Sequence, residues 1–99
     1  MASYSLTNKA LNDLSEIWNY TYEVWSEQQA DKYYKLLIET FQKIAENPEI
    51  GKKYSEVAND IIGFRVGKHI IFYRESKSQK IEILRLLHEK MDLKSRIDE

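Results

Sequence analysis

The chain reads as an α+β fold in which an antiparallel helical hairpin packs on a small sheet. Two observations predict it. Two successive stretches carry apolar residues at helical spacing, and the region from Ile61 to His88 breaks into three short β-branched and aromatic runs. The runs are Ile61–Val66, His69–Arg74 and Lys80–His88, parted by Gly67-Lys68 and by Ser76-Lys77-Ser78-Gln79. Gaps this short cannot hold a parallel crossover, so the runs form an antiparallel meander.

The elements follow in order. Ala2 to Thr7 alternates, with Tyr4 and Leu6 on one side, and predicts a strand that joins the sheet at its edge or in its middle. Thr7 or Asn8 caps the helix that follows. From Lys9 to Trp25 the apolar positions are Ala10, Leu11, Leu14, Ile17, Trp18, Tyr22 and Trp25, a stripe wide enough to bury against a sheet. Ser26 followed by Gln29 is a capping-box pattern that opens a second helix, running to about Glu46. Its inner side carries Ala30, Tyr33, Tyr34, Leu37, Phe41 and Ile44, and Asn47-Pro48 stops it. Helices joined with almost no loop form an antiparallel pair. Gly51 to Asp60 is a polar connection without a period of its own. Beyond His88 the chain turns polar, and Met91 to Ile97 is either a short helix or a loose tail. With no repeat and no linker, residues 1–99 make a single domain.

Counting outward from the turn, with Glu75 opposite Lys80, separates the two faces of the last hairpin. One face carries Ile71, Tyr73, Leu84 and Leu86, with His69 and His88 at its far end. The other carries Ile70, Phe72, Ile81, Ile83 and Leu87, with Arg74 and Arg85 among them. Two helices can cover one face of so small a sheet. The second is expected to receive a protein partner, the alternative being that the Gly51–Asp60 connection and the tail seal it together.

Composition narrows the classes. Fifteen Lys and Arg stand against sixteen Asp and Glu, so the basic excess of a broad nucleic-acid surface is missing. Cysteine is absent, which excludes disulfides and thiolate metal sites. No apolar run approaches the roughly 20 residues that span a membrane, and the N-terminus lacks a signal-peptide pattern. A cytoplasmic protein is the expectation.

Individual residues admit two readings each. His69 and His88, the only histidines, begin a metal site or play a structural part; with no third well-placed ligand, no metal is expected. Arg65, Arg74 and Arg85 are interface cations or ordinary ion-pair partners. Trp18, Tyr22, Trp25, Tyr33 and Tyr34 are mostly core rings, those at the rim being suited to a partner groove. Lys32, Lys35, Glu39, Lys43 and Glu46 form a solvated face.

The segment Asp13-Leu14-Ser15-Glu16-Ile17-Trp18-Asn19-Tyr20-Thr21, followed by Trp25, Gln29-Ala30 and Tyr33, resembles the helical hairpin of ParE-type toxins. These are the toxin halves of bacterial type II toxin–antitoxin pairs. Asn47-Pro48 with Gly51, Phe64-Arg65, His69 to Arg74 and the closing run Ile83 to Asp92 resemble the same family, over nearly the whole chain. Ser26 and Lys52 depart from its usual glycine and arginine, both in connections. The family shares its fold with RelE-type ribonuclease toxins. In those relatives an arginine often follows the strand histidine and the last strand tends to end in His-Tyr, where this chain has Ile70 and Leu87-His88. A ribonuclease of that kind needs an acid or base and cations for its transition state, and Ile and Leu supply neither.

The resemblance therefore implies a toxin without catalytic residues, metal or cofactor, which binds DNA gyrase and stabilises its cleaved-DNA state. A ParD-like antitoxin would neutralise it by wrapping a segment around it. Antitoxin contacts are expected at Trp18, Tyr22, Tyr34, Ile70, Phe72, Ile81, Ile83 and Leu87. Gyrase contacts are expected at Arg65, Arg74, Arg85, His88, Lys90 and Met91, with Asp92, Lys94 and Arg96 following. No direct sequence-specific nucleic-acid binding is expected. The alternatives are a RelE-like mRNA ribonuclease and a binding module of the same fold that has lost toxicity.

Overall fold

Two hydroxyls start the two long helices. Thr7 Oγ1 accepts the Ala10 N–H at 3.1 Å to cap α1 (Asn8–Val24), and Ser26 Oγ accepts the Gln29 N–H at 3.1 Å to cap α2 (Glu27–Glu46). Thr7 Oγ1 also donates to the Leu84 carbonyl at 2.8 Å, so the same cap fixes the helix to the sheet. The computed structural model describes residues 2–76, 78, 80–91 and 93–97, with the backbone alone at Lys94. Asp92, Lys77 and Gln79 lie outside the described residues, as does the Lys94 side chain.

Around the hairpin stand β1 (Tyr4–Leu6), a 3-10 turn at Pro48–Ile50, β2 (Lys52–Lys53), β3 (Ile62–Val66), β4 (His69–Glu75), β5 (Ile81–His88) and a short α3 (Leu93–Ile97). The sheet order is β1-β5-β4-β3-β2. The meander is its centre. β1 lies parallel to β5 at one edge, with Tyr4 opposite Ile81 and Leu6 opposite Ile83, because the helical hairpin carries the chain across before β5 is reached. β2 closes the other edge antiparallel to β3, a pairing hidden in the polar connection since Lys52-Lys53 has no apolar alternation.

The β4–β5 register differs from the one counted from the turn. Glu75 faces Ile81, and Tyr73 faces Ile83; past a bulge, Phe72 faces Arg85, Ile70 faces Leu87 and His69 faces His88. The turn is one residue longer than assumed, and Leu84 is the extra residue of the bulge. The correction moves Ile81 and Ile83 to the helix side and Leu84 to the other. The histidine pair at the strand ends survives it.

The main core lies between the helices and the sheet: Leu14, Leu37, Phe41 and Ile44 from the helices meet Val66, Ile71, Tyr73, Ile81, Ile83 and Leu86. Behind the sheet is a second, smaller core of Ile61, Ile70, Phe72 and Leu87. Tyr54 and Ala58 of the connection cover it, with Leu93 and Ile97 of α3. The expected bare apolar face is therefore not there. The connection and the tail seal it, and Tyr54 meets Phe72 edge-on with ring centroids 5.2 Å apart. On the helix side Tyr73 is fully buried, its hydroxyl donating to the Pro48 carbonyl at 2.6 Å and accepting from the Gly51 N–H at 3.2 Å. Burial raises its pKa against that second bond.

Candidate functional site

At the histidine end of the sheet the helices run past the strands and leave a groove of about 970 Å³. Its helical wall comes from one stripe of α1, Asp13, Glu16, Ile17, Tyr20 and Val24, whose spacing of three and four keeps them on one side. Trp25, just past the helix, and Met91 complete the wall. Tyr20 and Trp25 are 65% and 73% exposed, so most of each ring faces solvent. The floor is the end of β5 from Arg85 to His88, together with His69 and Tyr33.

A polar network holds the floor. Arg85 meets Asp13 through two bonds, Nε to Oδ2 at 2.8 Å and Nη2 to Oδ1 at 3.1 Å, with both side chains about nine-tenths buried. Asp13 Oδ2 also accepts the Leu86 N–H at 3.1 Å, and Arg85 Nη1 donates to the Arg96 carbonyl at 2.6 Å. One ion pair thus ties α1, β5 and α3 together. The sequence held a signal for it: Asp13 sits within the buried stripe of Ala10, Leu14 and Ile17, and a buried carboxylate demands a cation or donors. Its partner 72 positions away was not readable.

Beside it, Tyr33 Oη donates to the Val66 carbonyl at 3.0 Å and lies 2.8 Å from His69 Nδ1. With the phenol proton given to Val66, Nδ1 of His69 is the donor to Oη and Nε2 its open acceptor. Tyr33 also closes on the β3–β4 turn, where Gly67 has φ 57°; a Cβ there would meet Tyr33 Oη at 2.9 Å. Burial raises the Tyr33 pKa against a hydrogen bond from the Lys68 backbone. Burial lowers that of His69, as does the neighbouring His88; Asp13 and Glu89 act the other way. Burial therefore favours the neutral form of His69. The two imidazoles stand edge to face, centroids 5.4 Å apart, and His88 Nδ1 accepts the Lys90 N–H at 3.2 Å. Among the described residues no group of three or more His, Cys, Asp or Glu is placed to hold a metal ion.

The expected partner residues divide. Trp18, Tyr22 and Tyr34 lie on the outside of the hairpin; Trp18 and Tyr22 stack at 5.3 Å, and Trp18 Nε1 donates to Asp31 Oδ1 at 3.1 Å. Ile70, Phe72, Ile81, Ile83 and Leu87 are each at most 5% exposed and present no surface, because the back of the sheet is covered and two of them face the helices. Of the expected target residues, Arg85, His88 and Met91 share the groove. Arg65 pairs with Glu89 at the same end of the sheet, and Lys90 follows it in the chain. Arg74 is not among them; it sits toward the other end of β4, paired with Glu82 at 2.9 Å and Asp60 at 3.7 Å. Tyr20 and Trp25 are the most exposed rings of the groove; the sequence gives Tyr20 no site reading and Trp25 that of a core ring or a rim ring of a partner groove.

A family model described as the ParE toxin of the type II toxin–antitoxin system parDE matches residues 4–93. Toxin ParE1 of Mycobacterium tuberculosis is 34% identical over 90 residues, covering 91% of this chain and 92% of the relative. Toxin ParE1 of Caulobacter vibrioides is 32% identical over 97 residues, covering 98% and 99%. A solved structure titled as a chromosomal ParDE toxin–antitoxin system from P. aeruginosa superposes with a TM-score of 0.74 at 20% identity, over 89% of this chain and 96% of that one. With the expected helical hairpin, meander and closing motif all in place and the match spanning nearly the whole length, this chain belongs to the ParE toxin family of type II toxin–antitoxin systems.

Proposed function

We propose that this toxin acts without chemistry of its own, by binding DNA gyrase and holding its cleaved-DNA state, and that a ParD-like antitoxin neutralises it in the cytoplasm. The observation that carries the non-catalytic reading is the fate of Ile70 and Leu87. They face each other across β4 and β5 and are buried in the core behind the sheet. Where ribonuclease relatives resemble this chain, those positions tend to bring polar groups; here they bring packing. Arg85, a cation that a phosphoryl transition state would use, is held in the buried pair with Asp13.

The antitoxin reading rests on the outer face of the hairpin. Leu11, Trp18, Tyr22 and Tyr34 leave apolar and aromatic surface there that is open among the described residues, Trp18 being partly buried. Such rings carry interface energy out of proportion to their number. The gyrase reading is assigned to the groove end, with Arg65, His88, Lys90 and Met91.

Tightly controlled expression tests the function. DNA breaks with intact transcripts, and a purified protein that inhibits supercoiling while cleaved DNA accumulates, are the expected results. RNA cut by the purified chain and spared by a His88→Ala variant would transfer it to the ribonuclease branch. For the antitoxin, Trp18→Ala should weaken binding by roughly 2 kcal/mol, and unchanged affinity would remove the outer hairpin from the interface.

A further inference from the structure

We propose that the groove at the histidine end takes unpaired DNA strand, so that the toxin grips nucleic acid as well as protein. The role rests on the gyrase reading above; the binding does not. The argument starts from the walls. Tyr20 and Trp25 are the two most exposed aromatic rings of the described chain, and both border this one groove, against Val24 and Met91. Unpaired bases stack on such rings regardless of sequence, since each base has a π-face.

Charge points the same way. The chain as a whole is formally −1. Lys68, Arg85 and Arg96 line the groove with Asp13 and Glu16, and Arg65, Glu89 and Lys90 stand next to it at the same end of the sheet. The pairs Asp13–Arg85 and Glu89–Arg65 cancel within the chain, so the excess rests on Lys68, Lys90 and Arg96 against Glu16. Lys68 and Lys90 flank the floor from neighbouring chain segments, since the Glu89 N–H donates to the Lys68 carbonyl at 2.9 Å. That places two exposed ammonium groups beside the His69 and His88 imidazoles, an arrangement for phosphate at the rim and hydrogen-bonding base edges at the floor.

A peptide strand fits the same groove less well. Adding a strand needs open backbone groups on the β5 edge. Beyond β1 that edge is occupied at the bulge: Thr7 holds the Leu84 carbonyl and Asp13 holds the Leu86 N–H. An apolar helix would have to cover the polar floor of Asp13, Arg85, His69 and His88, which a nucleotide can hydrogen-bond instead.

The test uses the purified full chain and a fluorescent oligo-dT of about ten nucleotides, followed by anisotropy at low salt. Binding is expected, with log K falling against log salt at a slope of about −1.4 for two lysine–phosphate contacts. Trp25→Ala should weaken it roughly five- to hundredfold, Lys68→Glu should weaken it and flatten the slope, and Lys43→Ala on the far end of α2 should leave it unchanged. Thermal melting and antitoxin capture confirm that each variant is folded. No binding by the native chain, equal binding to a blunt duplex of the same length, or full binding by Trp25→Ala overturns the proposal. So does an acidic peptide that displaces the oligonucleotide while binding more tightly, which would give the groove to a protein. If Trp25→Ala loses the oligonucleotide yet poisons gyrase fully, the groove has no part in poisoning and the gyrase reading stands. If the native chain binds the oligonucleotide but leaves gyrase untouched, the gyrase reading falls and the groove remains.

Discussion

The two faces of the sheet are both dry, and they are made dry by different means. On the front, helices of 17 and 20 residues lay regular apolar stripes across the strands, and residues from both helices and three strands, with β1 packed alongside, share one core. On the back, four buried side chains are sealed by an irregular connection and a five-residue helix. A regular helix interlocks with the sheet along its length and has little freedom to relax when a side chain is removed. A loop and a short tail can settle into the space. The front specifies the fold; the back completes it.

Substituting one fully buried phenylalanine on each face tests that contrast most strongly. Phe41→Ala should destabilise the chain by about 5 kcal/mol, and Phe72→Ala by about 3, because cavity cost depends on how far the surroundings collapse. Equal losses in chemical denaturation would break the comparison. Next comes the ion pair that joins the faces. Asp13→Ala leaves Arg85 and the Leu86 N–H without their carboxylate and should cost about 3 kcal/mol. A loss below about 1 kcal/mol would mean that water replaces the carboxylate at that site.

A chain ending at Met91 sharpens the contrast further. It removes Leu93 and Ile97 from the back core, both partly buried, and should lose about 2 kcal/mol while still unfolding in one transition. Failure to fold would show that the back core is as necessary as the front. The same chain also tests the groove, since Arg96 borders it and Arg85 bonds its carbonyl.

The smallest expected effect is one of pH. The folded chain holds His69 below the ordinary 6.5, chiefly by burying it. Between that value and the lower folded one, the unfolded chain binds more protons than the folded chain, so stability rises with pH across this window. The contribution is whole above about pH 6.5 and is lost as the pH falls toward the folded value. Melting temperatures taken downward from pH 7 should fall, and His69→Gln should flatten that fall. An identical slope in the variant would exclude His69 as its source.

Local rules decide what a short window can encode, and this sequence encodes much that way. Thr7 and Ser26 cap the helices as their positions require, Pro48 ends the second helix, and Gly67 turns β3 into β4. That His69 and His88 share one face at one end of the sheet followed from strand spacing, while their direct pairing came with the corrected register. The groove was legible only in pieces: Asp13 within an apolar stripe announced a buried partner, and Trp25 ended one helix without showing whether it would be covered.

What the tertiary structure alone decided is relational. The bulge at Leu84 depends on how β5 meets β4 and β1 together, and one residue of register exchanges which side chains face the helices. Ile81 and Ile83 entered the front core for that reason, and Leu84 left it. The cover over Ile70, Phe72 and Leu87 comes from Tyr54, Ala58, Leu93 and Ile97, residues too scattered to form a periodic signal. A sequence states which segments want burial. Which segments bury one another depends on the path of the whole chain, because the free energy of a contact exists only once both partners have arrived.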